Sequence, residues 1–356
     1  MSRFWSPFVR DLVPYVPGEQ PKDKVFIKLN TNENPYGPSP HALEVIRDAA
    51  GDDLRRYPDP MATDLRAAIS EGLGLTEDHV FIGNGSDEVL AHAFNGFFRD
   101  KGPVLFPDVT YSFYPTYCRL FELASHHVPL DEDFRLDPED YRGSCGGIVI
   151  ANPNAPTGIA IGLDEIAHVL SRNPDRVVLV DEAYVDFGSE SAVSLVPEHD
   201  NLLVVQTFSK SRSLAGMRVG FAVGQPHLIE GLLRVKDSFN SYPLDQLALA
   251  GAKAAWHDRN WFEETRKLVM TDRDATADAL SGQGFRVLPS KTNFLFASHP
   301  DISGAALLEA LRNEGILVRH FRGTRTGNWL RISVGTKEEC GRLVEATGSI
   351  LSRATA

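Results

Sequence analysis

A chain of 356 residues has room for two domains with substantial cores. Its 48 acidic and 36 basic residues give a formal charge of −12, and both signs are scattered along the sequence, which argues against nucleic acid or an anionic membrane as partner. Cys118, Cys145 and Cys340 have neither paired nor metal-type spacing, so no disulfide framework and no metal site are expected, and the reduced cytoplasm is the compartment that follows. The opening MSRFWSPFVRDLVPY lacks the apolar centre of a signal peptide, and no later apolar run is long enough to span a bilayer.

Taken in order, residues 1 to about 30 are rich in proline and aromatic side chains and predict an extended arm that packs on something else. Next, LNTNENPYGPSP is a loop of turn formers, and Ser39-Pro40 supplies a cap and first position for a helix over His41–Ala50. From Val80 onward, strand-like runs (VFIG, VLF, GIVIAN, VVLVDE) alternate with helical stretches at 87–98, 112–120 and 163–170. Such alternation predicts an α/β fold in which a mainly parallel sheet is flanked by helices.

Beyond Gly224 the pattern changes. A helix over Pro226–Val235 leads to long helical periodicity from 244 to 280. Short strands at 285–288, 293–297, 316–319 and 329–334 then flank a helix at 303–314, and a helix at 337–352 closes the chain. The expected organisation is an arm at 1–30, a large domain at 31–243 and a smaller α+β domain at 244–356.

Three segments carry chemistry. Leu202–Val205 reads as a buried strand, and Thr207-Phe208-Ser209-Lys210-Ser211 takes the chain off its end, where open α/β sheets hold ligands. Arg218 follows eight residues later. A lysine nucleophile and an anion-binding arginine among hydroxyls suit a phosphorylated aldehyde cofactor held as a Schiff base. Upstream, Asp181 ends the apolar run of VVLVDEAY, where a carboxylate needs a cation or else caps the next segment; a pyridinium nitrogen is such a cation, and Tyr184 can donate to the ring hydroxyl. Gly83-Asn84-Gly85-Ser86-Asp87 joins a strand to a helix N-terminus, so it can share one phosphate with Thr207, Ser209 and Arg218.

In the order GNGSDE, PDVTYSFY, NPNAPTG, VDEAY, TFSKSRSLAGMRVG and LRISVGT, the chain resembles the fold-type I aminotransferases, and most closely the histidinol-phosphate aminotransferase family. The resemblance runs from Asn30 to the last helix. It implies a homodimer with pyridoxal 5'-phosphate on Lys210, converting histidinol phosphate and 2-oxoglutarate to imidazole acetol phosphate and glutamate. It also implies that the loop containing Asn34 closes over substrate, that Tyr57 reaches the cofactor phosphate of the other subunit, and that Tyr111 stacks on the pyridine ring.

One position departs from the family pattern. Ala155 stands where many relatives carry an asparagine before Pro-Thr-Gly, so either Asn154 takes its place by a shift of the loop or Tyr184 holds the ring oxygen with less help. Arg331 matches the arginine that binds the acidic group of the substrate, with Arg342 expected to assist at a phosphate ahead of Arg319. Other readings of the chain are a transaminase preferring aromatic amino acids, a related phosphate-substrate decarboxylase, or a catalytically silent binding protein. The intact Asp181, Lys210 and Arg218 weigh against the last.

Overall fold

Runs such as Ile148-Val149-Ile150 and Val178-Leu179-Val180 offer no polar face to the pleat, so they form strands covered on both sides. The computed structural model, which describes residues 2–16, 18–21 and 25–354, builds such runs into a seven-stranded sheet. In chain order the first elements are α1 (Pro7–Asp11), β1 (Ile27–Lys28), α2 (Pro40–Ala49), α3 (Thr63–Leu73), β2 (Val80–Gly83), α4 (Gly85–Ala93), β3 (Val104–Pro107) and α5 (Tyr114–Leu120). There follow β4 (Ser125–Val128), β5 (Gly147–Ala151), α6 (Leu163–Arg172), β6 (Val178–Asp181), β7 (Leu202–Thr207), β8 (Gly220–Gly224) and α7 (Pro226–Phe239).

The strand order is β2-β8-β7-β6-β5-β3-β4. Strand β8 runs antiparallel to both neighbours, and all other pairings are parallel. Alternate side chains divide between two cores. Ile148, Ile150, Val178, Val180, Leu202 and Val204 face α3 and α6, whereas Val149, Leu179, Leu203 and Val205 face α4, α5 and α7. Strand β4, Ser-His-His-Val, was not expected, because at the sheet edge three of its four residues are exposed and no apolar pattern marks it.

The remaining elements are α8 (Gln246–His257), α9 (Arg259–Gly282), β9 (Arg286–Val287), β10 (Phe294–Ser298), α10 (Gly304–Asn313), β11 (Ile316–Leu317), β12 (Arg319–His320), β13 (Trp329–Ser333) and α11 (Lys337–Ala354). Strands β12-β13-β10-β9 make an antiparallel sheet whose core draws Leu280 from α9, Leu307 and Leu311 from α10, and Leu343 and Ile350 from α11. Strand β1 pairs in parallel with β11, Ile27 opposite Ile316, so the end of the arm joins this smaller body.

The helical periodicity from 244 is broken at Asp258. Its Oδ1 accepts from the Trp261 N–H at 3.2 Å, starting α9, while Oδ2 accepts from Ser39 Oγ at 2.5 Å. Ala248, Ala252, Ala255 and Trp256 of α8 belong to the core of the large sheet. We therefore draw the domain boundary at Asp258 rather than at 243/244, and count β1 with the small domain. Among the described residues no helix is long and apolar enough to cross a membrane, and no group of three His, Cys, Asp or Glu side chains could hold a metal ion.

Candidate active site

The carboxyl ends of the parallel strands converge on a cavity of about 270 Å³. Strand β7 delivers Thr207, Ser209 and Lys210, β6 delivers Asp181, and β2 leads into Ser86 and Asp87 at the start of α4; all six line the cavity. Tyr111, Tyr184, Arg218, Arg319 and Arg331 line it as well. Eleven of the expected residues, drawn from both domains, thus share one space.

One end of the cavity is a cup for an anion. Thr207 Oγ1 donates to Ser209 Oγ at 3.0 Å, and Arg218 Nη1 donates to the same oxygen at 3.3 Å. Arg218 Nη2 also reaches Asp87 Oδ2 at 3.3 Å, which stops the guanidinium from swinging into solvent. Gly85 has φ +78°, and a Cβ there would lie 2.5 Å from Arg218 Nη2. Gly220 is equally constrained: a Cβ would come within 2.3 Å of the Ser86 nitrogen. The glycines thus let β8 and the α4 N-terminus close around a site of free N–H groups and one cation, the chemistry of a phosphate site.

Deeper in, Asp181 is 5% exposed and its hydrogen-bond partners are neutral: Tyr114 Oη donates to Oδ2 at 2.8 Å and the Ala183 N–H to Oδ1 at 3.3 Å. Burial pushes its carboxyl up to about 6, against the lowering effect of those two bonds. A buried acid with only neutral partners fits a pyridinium nitrogen. Lys210 Nζ lies 5.7 Å from the Tyr184 ring centre, and its backbone carbonyl accepts from Asn34 Nδ2 at 3.0 Å. Tyr111 is tethered by its hydroxyl to Asp87 Oδ1 at 3.1 Å and packs edge-on against Tyr114, with ring centres 5.5 Å apart.

At the opposite end, β12 and β13 place Arg319 directly across from Arg331. Arg331 Nη2 donates to the Asn30 carbonyl at 3.0 Å, while its buried Nε has no partner among the described residues. Burial lowers the affinity of this guanidinium for its proton. Arg319 donates to the Val16 carbonyl at 3.2 Å, which brings the arm to the cavity rim.

Besides Gly85, which adjoins the cup, four expected residues lie outside the cavity. Arg342 sits on the outer face of α11 with its side chain 66% exposed, 3.9 Å from Glu345, so Arg319 and not Arg342 is the second arginine of the site. Asn34 is turned toward the Lys210 and Ser211 carbonyls and shapes the lysine loop instead of facing substrate. Asn154 is buried, donating to the Val109 carbonyl and to Thr157 Oγ1 and accepting from Thr110 Oγ1. The signature loop has therefore not shifted, and the methyl of Ala155 faces the cavity. Tyr57 is 80% exposed and stacks on Tyr242, with ring centres 4.7 Å apart.

Sequence reasoning missed Tyr114, Asn32, Tyr15 and Phe321. Tyr114 reads as one more core aromatic in a helix, and only its partner, 67 residues away, reveals its role. Asn32 is hidden among turn formers, and Tyr15 lies in an arm without motifs.

The sequence profile of the class I and II aminotransferases matches residues 24–346. The chain belongs to this aminotransferase family. A histidinol-phosphate aminotransferase of Acetobacter pasteurianus is 60% identical over 351 residues, covering 99% of both chains. One of Pseudomonas entomophila is 56% identical over 347 residues, 97% of this chain and 100% of the other. The crystal structure of a histidinol-phosphate aminotransferase from Sinorhizobium meliloti in complex with pyridoxal-5'-phosphate has the same fold, with a TM-score of 0.90 at 24% identity over 100% of this chain and 99% of that one. The aminotransferase described here is thus a fold-type I, pyridoxal-phosphate-dependent enzyme, and the cup, the buried acid and the lysine fit that cofactor.

Proposed function

We propose that the chain transfers an amino group from L-histidinol phosphate to 2-oxoglutarate, yielding imidazole acetol phosphate and L-glutamate, as a step of histidine biosynthesis in the cytoplasm. The observation that carries the substrate assignment is the pair Arg319 and Arg331, opposed across β12 and β13 on one wall of the cavity. A phosphomonoester bears between one and two negative charges near neutrality, and two guanidinium groups meet it with charge-assisted bonds. A glutamate carboxylate engages the same wall in the other half-reaction. Tyr15, Tyr111 and Phe321 line the same cavity and suit a flat ring. The three free, buried cysteines agree with a reducing compartment.

In this reading the residues divide the work. Gly85, Ser86, Asp87, Thr207, Ser209 and Arg218 would hold the cofactor phosphate. Asp181 would keep the ring nitrogen protonated, Tyr184 would donate to the ring oxygen, and Tyr111 would cover the ring. Bound pyridoxal phosphate supplies an aldehyde that links to amines and a ring that withdraws electrons. Lys210 Nζ would hold the resting cofactor and, once the substrate amine displaces it as a free amine, would take the proton from the substrate carbon that bears the amino group. Asn34 and Ser211 fix the loop carrying that lysine, Ser211 through its bond to Asp186. Two copies form a homodimer, in which Tyr57 completes the phosphate site of the other subunit; its exposure, stacked on the exposed Tyr242, supports this.

The test is a comparison of catalytic efficiency for histidinol phosphate, phenylalanine and tyrosine at fixed 2-oxoglutarate. Strong preference for the phosphate is expected. Equal or better turnover of the aromatic amino acids overturns the assignment.

A further inference from the structure

Asn32 is 1% exposed and holds a left-handed backbone, φ 55°, which asparagine adopts more readily than most residues. Its N–H donates to Ser333 Oγ at 2.8 Å, and Ser333 Oγ donates to Asn32 Oδ1 at 3.0 Å. Its carbonyl accepts from Asn293 Nδ2 at 3.0 Å. Ser333 Oγ thus accepts from the peptide N–H and gives its own proton to Oδ1, and Asn32 Nδ2 faces Tyr184 Oη at 2.9 Å. An amide nitrogen only donates. The phenol oxygen therefore accepts from Asn32, and its own proton is directed elsewhere.

Tyr184 lines the cavity, with its ring held edge-on to Phe294 at 5.0 Å. The signature loop sends no amide to the same place, since Ala155 offers a methyl and Asn154 is committed to Val109, Thr157 and Thr110. We propose that Asn32 is a positioning residue that makes Tyr184 an obligate donor into the cofactor site, and so compensates for the missing amide at Ala155. The proposal rests on the reading of Tyr184 as the partner of the ring oxygen. A lone phenol would rotate its proton between several acceptors; with Asn32 behind it, one orientation remains.

The experiment uses full-length apoprotein reconstituted with pyridoxal phosphate. Wild type, Tyr184→Phe, Asn32→Asp, Asn32→Gly and the Tyr184→Phe/Asn32→Gly double variant are compared. Two readouts are taken: the equilibrium affinity for the cofactor, and the pH midpoint of the visible absorption of the bound cofactor. Tyr184→Phe is expected to weaken binding roughly tenfold, about one hydrogen bond to a charged oxygen, and to raise the midpoint because the ring oxygen anion loses a donor. Asn32→Asp substitutes an acceptor that captures the phenol proton, so it moves both readouts in the same direction. Asn32→Gly keeps the left-handed backbone, removes the amide and gives a smaller shift with the same sign, and adding it to Tyr184→Phe changes neither readout. Wild-type behaviour of both single Asn32 variants beside an impaired Tyr184→Phe overturns the proposal, as does additivity in the double variant. A silent Tyr184→Phe overturns the underlying assignment of Tyr184, and the proposal with it.

Discussion

Tyr114 Oη donates to Asp181 Oδ2 at 2.8 Å, with both side chains buried beneath the site. The bond favours the ionised carboxylate, opposing the burial that pushes Asp181 up to about 6. Of the charged groups nearby, Asp87 at the start of α4 disfavours its ionisation as well. Tyr114→Phe keeps the ring that supports Tyr111 but removes the donor, so the Asp181 carboxyl rises further. Expected are a kcat lower by roughly tenfold, a KM for the amino donor within about twofold of wild type, and an acid limb of the kcat profile displaced to higher pH. A pH profile identical to wild type would remove Tyr114 from the electrostatics of the site.

The two arginines at the substrate end make separable predictions. Arg319→Ala should cut kcat/KM for histidinol phosphate by roughly ten- to a hundredfold, the worth of one charge-assisted bond, and reduce glutamate turnover much less. Arg331→Ala should damage both half-reactions. Arg342→Ala, on the outer face of α11, should leave both within about twofold. Steady-state kinetics on the three variants with each donor checks the ordering, and sensitivity to Arg342 above Arg319 would contradict it.

Glu182 adjoins Asp181 but points away from the cavity, accepting from Ser191 Oγ, the Ala192 N–H and Gln206 Nε2. Burial outweighs those bonds and pushes its carboxyl from 4.5 up to about 7. A group whose folded pKa is raised binds its proton more tightly when folded. Its contribution is therefore complete below pH 4.5 and lost as pH rises through 7, a change on the order of 3 kcal/mol. Urea unfolding of the apoprotein at pH 5 and pH 8, in wild type and Glu182→Gln, should show a smaller fall in stability with pH in the variant. The comparison of slopes isolates this group from Asp181, which shifts in the same direction.

If Tyr57 completes the neighbouring site, activity belongs to the dimer. Mixing the Lys210→Ala and Tyr57→Ala proteins should generate one intact site per mixed dimer and recover activity that neither protein has alone. Failure to recover any activity after verified subunit exchange, or full activity in a monomer, counts against a shared site.

The fold was largely legible because the sheet is covered on both faces. Uninterrupted apolar runs mark β5, β6 and β7, and the polar residue that ends each run marks the edge where ligands sit. Lys210, Asp181 and Arg218 were readable for that reason. Contacts between distant segments were not. The pairing of Arg319 with Arg331 depends on the β12–β13 register, which no local pattern announces, and Arg342 carries an equally plausible motif on a helix whose apolar face turns it outward. Asn32 meets partners 152 and 301 residues away. The break at Asp258 was missed because a single capping aspartate barely disturbs helical periodicity on either side.

From β1 onward the chain passes between its two domains twice: once in the loop from β1 to α2, and once at Asp258 between α8 and α9. The Ser39 hydroxyl that caps α2 also donates to the Asp258 carboxylate at 2.5 Å, so the two passages are riveted together at one point. The seam between the two bodies is broad as well: Phe134 packs edge-on against Phe296 and Trp329, Arg325 bonds to Asp108, and the Lys291 N–H donates to the Gly158 carbonyl. The arginine wall on β12 and β13 is thereby held at a set span from Lys210. That span is the gauge against which a substrate is measured from its amine to its anion.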